Sequence, residues 1–156
     1  MADIDTSYGT KTAITITLTS LADGSSRQST TWDMTSGNAI DFFVMCQTNG
    51  QSGGDDYCYL NVFGGLDTSS NEFTDNAGAS DAAFTTANIL NSPMLGSIKM
   101  NGSTAVAAGP YSIASAFGGL LPAEGGIIVN NESGAALSAT SGDHDFEYLP
   151  IYLTSA

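Results

Sequence analysis

Apolar residues in this chain recur with a period of two far more often than with a helical period. From Thr12 to Thr19, Ile14, Ile16 and Leu18 fall on one face while Ala13, Thr15, Thr17 and Thr19 fall on the other. Alternation in β-branched residues predicts a half-buried strand. Ala22 to Ser26 reads as a turn, and Arg27 to Trp32 as a weaker strand. Ile40 to Gln47 is apolar on both faces, with Ile40, Phe42 and Val44 one way and Phe43 and Met45 the other. Such a strand lies mid-sheet, or faces a core on one side and a neighbouring subunit on the other. Tyr57 to Phe63 is expected to return as its hairpin partner across a long loop, Thr48 to Asp56. One face of that strand carries Tyr57, Tyr59 and Phe63, the other Cys58, Leu60 and Val62. Phe43, Met45, Tyr57, Tyr59 and Phe63 are the candidates for packing between subunits.

Further along, Gly64 to Asp81 reads as a surface excursion, and Phe84 to Leu90 fits either a short helix or a strand. Met94 to Met100 predicts a strand between Pro93 and Asn101-Gly102. Ser112 to Gly119 predicts one short helix, with Ser112 as N-cap and Gly118 as stop. Gly126 to Asn130 and Ala135 to Ala139 are further strands. Asp145 to Thr154 is the last, and its Pro150, which cannot donate to a ladder, predicts an edge or a bulge. Many short strands between turn clusters predict an all-β fold: a two-sheet antiparallel sandwich, jelly-roll-like, with one short helix. Residues 1–10 are polar and expected to be a strand-free, flexible N-terminal arm whose Ile4 and Tyr8 could anchor on a partner. Residues 11–156 form a single domain.

Charge narrows the function classes. The chain has 156 residues and a net charge of −13, with only Lys11, Arg27 and Lys99 positive. Nucleic-acid binding needs clustered Lys and Arg, so no nucleic-acid partner is expected. An anionic membrane surface is disfavoured for the same reason. No apolar run is long enough to span a bilayer as a helix, and the acidic N-terminus lacks the apolar stretch of a secretory signal. Synthesis and assembly in a cytoplasm are therefore expected.

Candidate chemistry is sparse, and no catalytic residue, cofactor or metal is expected. Cys46 and Cys58 read as two small buried hydrophobes or, if the hairpin loop is symmetric, as a cross-strand pair that a reducing cytoplasm would disfavour. His144, the only histidine, sits in a turn and reads as solvated. Loop carboxylates such as Asp55-Asp56 and Asp143/Asp145/Glu147 lack the apolar wall a catalytic acid needs. As hard oxygen ligands they suit calcium better, but without EF-hand spacing. Asn101-Gly102-Ser103 and Asn131-Glu132-Ser133 match the glycosylation pattern by coincidence. Tyr57, Tyr59, Phe63 and Trp32 could form a sugar-stacking platform, with core or subunit packing as the stronger reading.

Two stretches resemble small structural proteins of tailed bacteriophages. One runs from Ser7-Tyr8-Gly9-Thr10-Lys11 through Leu18, then Leu21-Ala22 and Ser29-Thr30. The other includes Pro110-Tyr111-Ser112-Ile113-Ala114-Ser115-Ala116-Phe117-Gly118-Gly119, Leu121-Pro122, Gly125-Gly126-Ile127-Ile128-Val129, Gly134-Ala135-Ala136-Leu137 and Tyr148-Leu149-Pro150-Ile151-Tyr152. Ala123-Glu124 departs from the aromatic residue that precedes the glycine matched by Gly125. The pattern is similar to that of capsid decoration, or cement, proteins. The resemblance implies a virion protein, a homotrimer on the exterior of the head that binds the major capsid protein, with Ile4 and Tyr8 on a capsid-binding arm. The rival readings are a tail or fibre component that binds host glycans, favoured by exposed Tyr or Trp between Gly50 and Asp81, and a glycan hydrolase, which requires a cleft with two facing carboxylates.

Overall fold

The computed structural model describes residues 4–65, 72–85 and 88–155. Its strands are β1 (Ile4–Tyr8), β2 (Thr12–Ala13), β3 (Ser25–Gln28), β4 (Trp32–Asp33), β5 (Ala39–Thr48), β6 (Tyr57–Gly65), β7 (Ala82–Phe84), β8 (Met94–Lys99), β9 (Val106–Ser112), β10 (Glu124–Glu132) and β11 (Asp145–Ser155). One helix, α1 (Ile113–Ala116), follows β9. Every pairing between these strands is antiparallel. The first sheet has the order β1-β11-β5-β9, with β2 also on β11; the second has the order β7-β3-β10-β6-β8, with β4 also on β10. The fold is thus an all-β two-sheet sandwich with one short helix, and the chain crosses repeatedly between the sheets.

Apolar alternation explains the layering. β5 turns Phe42, Val44 and Cys46 inward, and β6 turns Cys58, Leu60 and Val62 to meet them. β11 adds Phe146, and β10 adds Ile127 and Val129. The expected hairpin between β5 and β6 does not form, because the two strands belong to different sheets. Each has an apolar face that needs cover, and facing each other across the core satisfies both at once. Residues 49–56 are long enough to cross the roughly 10 Å between packed sheets. Cys46 and Cys58 therefore enter one core from opposite sheets, and both are free and buried.

Several local expectations change. Residues 4–8, expected to be strand-free, form β1 along β11. With only Ile4 and Tyr8 apolar, the segment had little periodic signal; the open edge of β11 recruits it through backbone hydrogen bonds. The strongest strand signal, Thr12 to Thr19, gives a regular ladder only at β2. The Ile14 N–H donates to the Phe146 carbonyl (2.7 Å) and the Thr15 carbonyl accepts from the Thr30 N–H (2.9 Å), after which the segment belongs to no strand. Its inward face is nevertheless the expected one, with Ile14 and Leu18 buried. Ala135 to Ala139 joins no ladder; its buried Leu137 makes a single bridge to Gly50. Val106 to Ser112, with weak alternation around Gly109-Pro110, forms the unexpected edge strand β9.

Pro150 lies inside β11 rather than on a sheet edge, and the expected irregularity is a register shift between Ile151 and Tyr152. On the other side of β11, β1 covers residues 151–155 and β2 covers 147–148. Pro150 falls in the gap, where its carbonyl accepts from the Gly9 N–H (2.9 Å). The N and the carbonyl of one strand residue point to the same side, so the missing N–H costs little there. A Cβ at Gly9 would sit 2.6 Å from the Pro150 ring, so this close approach needs a residue without a side chain at position 9.

The Gly64–Asp81 excursion is less superficial than expected. Phe73 and Ala77 close over the outer side of the second sheet against Phe63 and Ile128, giving a small second core. Phe63 and Phe73 meet edge-to-face at 5.6 Å. The Asp75 carboxylate accepts from the backbone N–H groups of Leu90, Asn91 and Ser92 and clips residues 72–76 to residues 88–92. Ser112 caps α1 as expected, its hydroxyl accepting from the Ser115 N–H (3.0 Å). Asp41 adds a second anchor, accepting from the Ser112 hydroxyl (2.6 Å) and the Ala114 N–H (2.8 Å).

Candidate interaction surface

Strand register decides which side chains share a face. On the first sheet, Tyr8 lies opposite Ile151 and Thr6 opposite Leu153, while Leu149 lies opposite Phe43 and Glu147 opposite Met45. Core residues Phe146, Val44 and Cys46 have the alternate parity, so these pairs point away from the core. The outer face of the first sheet therefore carries Ile4, Tyr8, Phe43 and Met45 together, joined by Leu149 and Leu153. Ile4 is 73% exposed, Tyr8 65% and Leu153 53%; Phe43 and Met45 are half-buried. Two groups of candidates, one from the expected arm and one from the two-faced strand, thus lie on one surface. Leu149 and Leu153 were legible as one face of β11, but nothing in the sequence said that this face lines up with β1 and β5.

Tyr57 and Tyr59 lie on the opposite side of the molecule, on the outer face of the second sheet. Their rings stack with centroids 6.1 Å apart, and the Lys99 ammonium sits 4.8 Å above the Tyr57 ring. Phe63 shares their parity but is not available for subunit packing, because the excursion buries it completely. Trp32 is also no sugar platform: it is buried and stacks on Tyr148 at 4.8 Å and 12°.

Charged groups are held locally. Lys11 pairs with Glu147, Arg27 with Asp81 (2.5 Å), and Lys99 donates to the Asp55 carbonyl. Burial would raise the Asp81 carboxyl, but hydrogen bonds from Arg27 and Thr17 outweigh it and hold it below the usual carboxylate range. Asp75 is likewise held low by its donors from Ser92, Asn91 and Leu90, against the upward push of burial. His144 is half-buried rather than solvated. Its Nδ1 lies 2.7 Å from the Thr48 hydroxyl and its Nε2 3.0 Å from the Ser138 carbonyl, so the ring bolts β5 to the loop before β11. A hydroxyl can donate to Nδ1 while Nε2–H donates to the carbonyl, which uses both nitrogens structurally.

Burial pushes both cysteine thiols up to about 12, so neither is a nucleophile at neutral pH. Asn131 of the second glycosylation pattern is fully buried and hydrogen-bonded, so it is closed to modification in the folded chain. Among the described residues, no group of three His, Cys, Asp or Glu is arranged to hold a metal ion. An open groove of about 610 Å³ is lined half by Ser and Thr, with Arg27, whose guanidinium already pairs with Asp81. No family model, curated protein or solved structure matches the chain.

Proposed function

We propose that this chain is a structural protein of a tailed-phage virion, a decoration protein that binds the outer surface of the head as an oligomer and stabilises it. One observation carries the reading: Ile4 and Tyr8 of β1 and the outward residues Phe43 and Met45 form one apolar surface suited to contact with other virion subunits, while Lys11, Arg27 and Lys99 are held within the chain. The resemblance at both ends of the chain supports it. A cement protein works by binding energy spread over a large contact, and mass action then stabilises the shell it binds. An acidic subunit is repelled by packaged nucleic acid, which suits an outward position.

The test is to add purified protein to undecorated heads and heat them or lower the salt. Protection against DNA release supports cementing, whereas binding without protection rejects it. Copy number in intact particles separates decoration, with copies comparable in number to the shell protein, from a tail component with few. The glycan-binding tail reading has one observation in its favour, the exposed Tyr57 beside Tyr59. Saturable binding of host polysaccharide that Tyr57→Ala abolishes, together with a low copy number, would favour it.

A further inference from the structure

We propose that the outer face of the first sheet, around Ile4, Tyr8, Leu153, Leu149, Phe43 and Met45, is where a second copy of this chain packs. The inference deepens the reading above by assigning a surface to the self-contact, and it is testable on the protein alone. The argument rests on where the charge is not. The chain carries −13, so two copies approaching at random repel. This face holds Asp41, Glu147 and Asp145 against Lys11, a net of −2. Asp41 is occupied at the start of α1, and Lys11 pairs with Glu147 at the end of the face away from Ile4. Asp5 has the opposite parity on β1 and points off this face.

Carboxylates of the second sheet lie beyond a core about 10 Å thick, farther than the roughly 8 Å over which exposed charges act at physiological salt. Two such faces can therefore meet with little like-charge cost while covering exposed apolar side chains, which a monomer rarely leaves clustered. A basic partner is the poorer fit, because its cations would find almost no free carboxylate here and many on the other surfaces.

Sedimentation of the purified chain over a range of concentrations is the test. The expected result is a concentration-dependent assembly that Leu153→Glu weakens about 100-fold by placing an unpaired carboxylate in the contact. Tyr8→Glu, on the neighbouring strand, is expected to act alike, so the test survives if either variant folds poorly. Leu120→Glu is the control; Leu120 is 78% exposed on the loop after α1 and should leave assembly intact. Added salt should strengthen the contact by screening the net charge. A wild-type monomer at all concentrations overturns the proposal. So do assembly that both face variants leave intact, loss of assembly in L120E, and association that salt dissolves, the mark of a contact between opposite charges rather than apolar faces. Head binding is read separately: an assembly that fails to dock keeps this inference and removes the decoration role.

Discussion

Asn131 sets the end of the sandwich, and removing its side chain should cost a large share of the stability. The residue is fully buried at the end of β10. Its amide donates to the carbonyls of Leu21 and Ala135, both at 2.9 Å. Its oxygen accepts from the Ser133 N–H (3.1 Å), the Ser133 hydroxyl (2.7 Å) and the Cys58 thiol (3.4 Å). Asn131→Ala leaves these groups unequally exposed to loss. The Leu21 carbonyl still accepts from the Leu137 N–H, and the Ala135 carbonyl from the Ser133 hydroxyl. The buried Ser133 N–H loses its acceptor among the described residues. Two weakened carbonyls at roughly 1 kcal/mol each, plus an orphaned donor at 1–3, total about 3–5 kcal/mol. A domain of this size is stable by roughly 5–15 kcal/mol.

Asn131→Asp is the sharper test. A carboxylate could still accept from Ser133, but its second oxygen would face two carbonyl oxygens, so the folded state favours the protonated acid and the folded pKa rises. An acid whose folded pKa is raised binds more protons folded than unfolded. The penalty relative to the wild type is then smallest below about pH 4, near the unfolded value, and grows as pH rises through the window up to the folded pKa. Urea unfolding of the wild type and both variants between about pH 3 and 8 reads this directly. A cost below about 1 kcal/mol for N131A, with an unchanged denaturant slope, would refute the account. So would an N131D penalty independent of pH.

Three further outcomes are expected. Gly96→Ala should lower the melting temperature by overpacking, at about 1–3 kcal/mol, because the new methyl would lie 2.4 Å from the Tyr111 ring; unchanged melting would mean that β8 and β9 separate freely. Cys46 and Cys58, with thiols near 12, should resist a thiol-reactive dye at pH 8 until the chain unfolds, since only about one thiol in ten thousand is then ionised; rapid labelling of the native protein would contradict their burial. Asp75 and Asp81 are held low, so their contribution is present above the ordinary carboxyl pKa and lost as pH falls through the folded values. Asp81→Asn should therefore flatten the acid limb of the stability profile, and an unchanged limb would show that the Arg27 contact contributes nothing.

The period-two pattern by itself determined that this is an all-β sandwich, and it grouped Phe42 with Val44 and Cys58 with Leu60 and Val62, all of them buried; Ile40, expected on the face of Phe42 and Val44, is instead 43% exposed where the β5–β11 register shifts. It also placed the helix after Ser112, because capping and a glycine stop are local events. Which strands pair was not legible, because alternation tells a strand which side to bury but not against what. The sequence thus allowed a β5–β6 hairpin, and only the packing of two apolar faces put those strands in opposite sheets. It hid β1, whose pairing is a property of an edge elsewhere in the chain. It read Phe63 as outward, since the segment that covers it returns from residues 72–85. The shared apolar face was decided in the same way: Ile4, Tyr8, Phe43, Met45 and Leu153 lie far apart in sequence, and only β11, paired on both sides, lines them up.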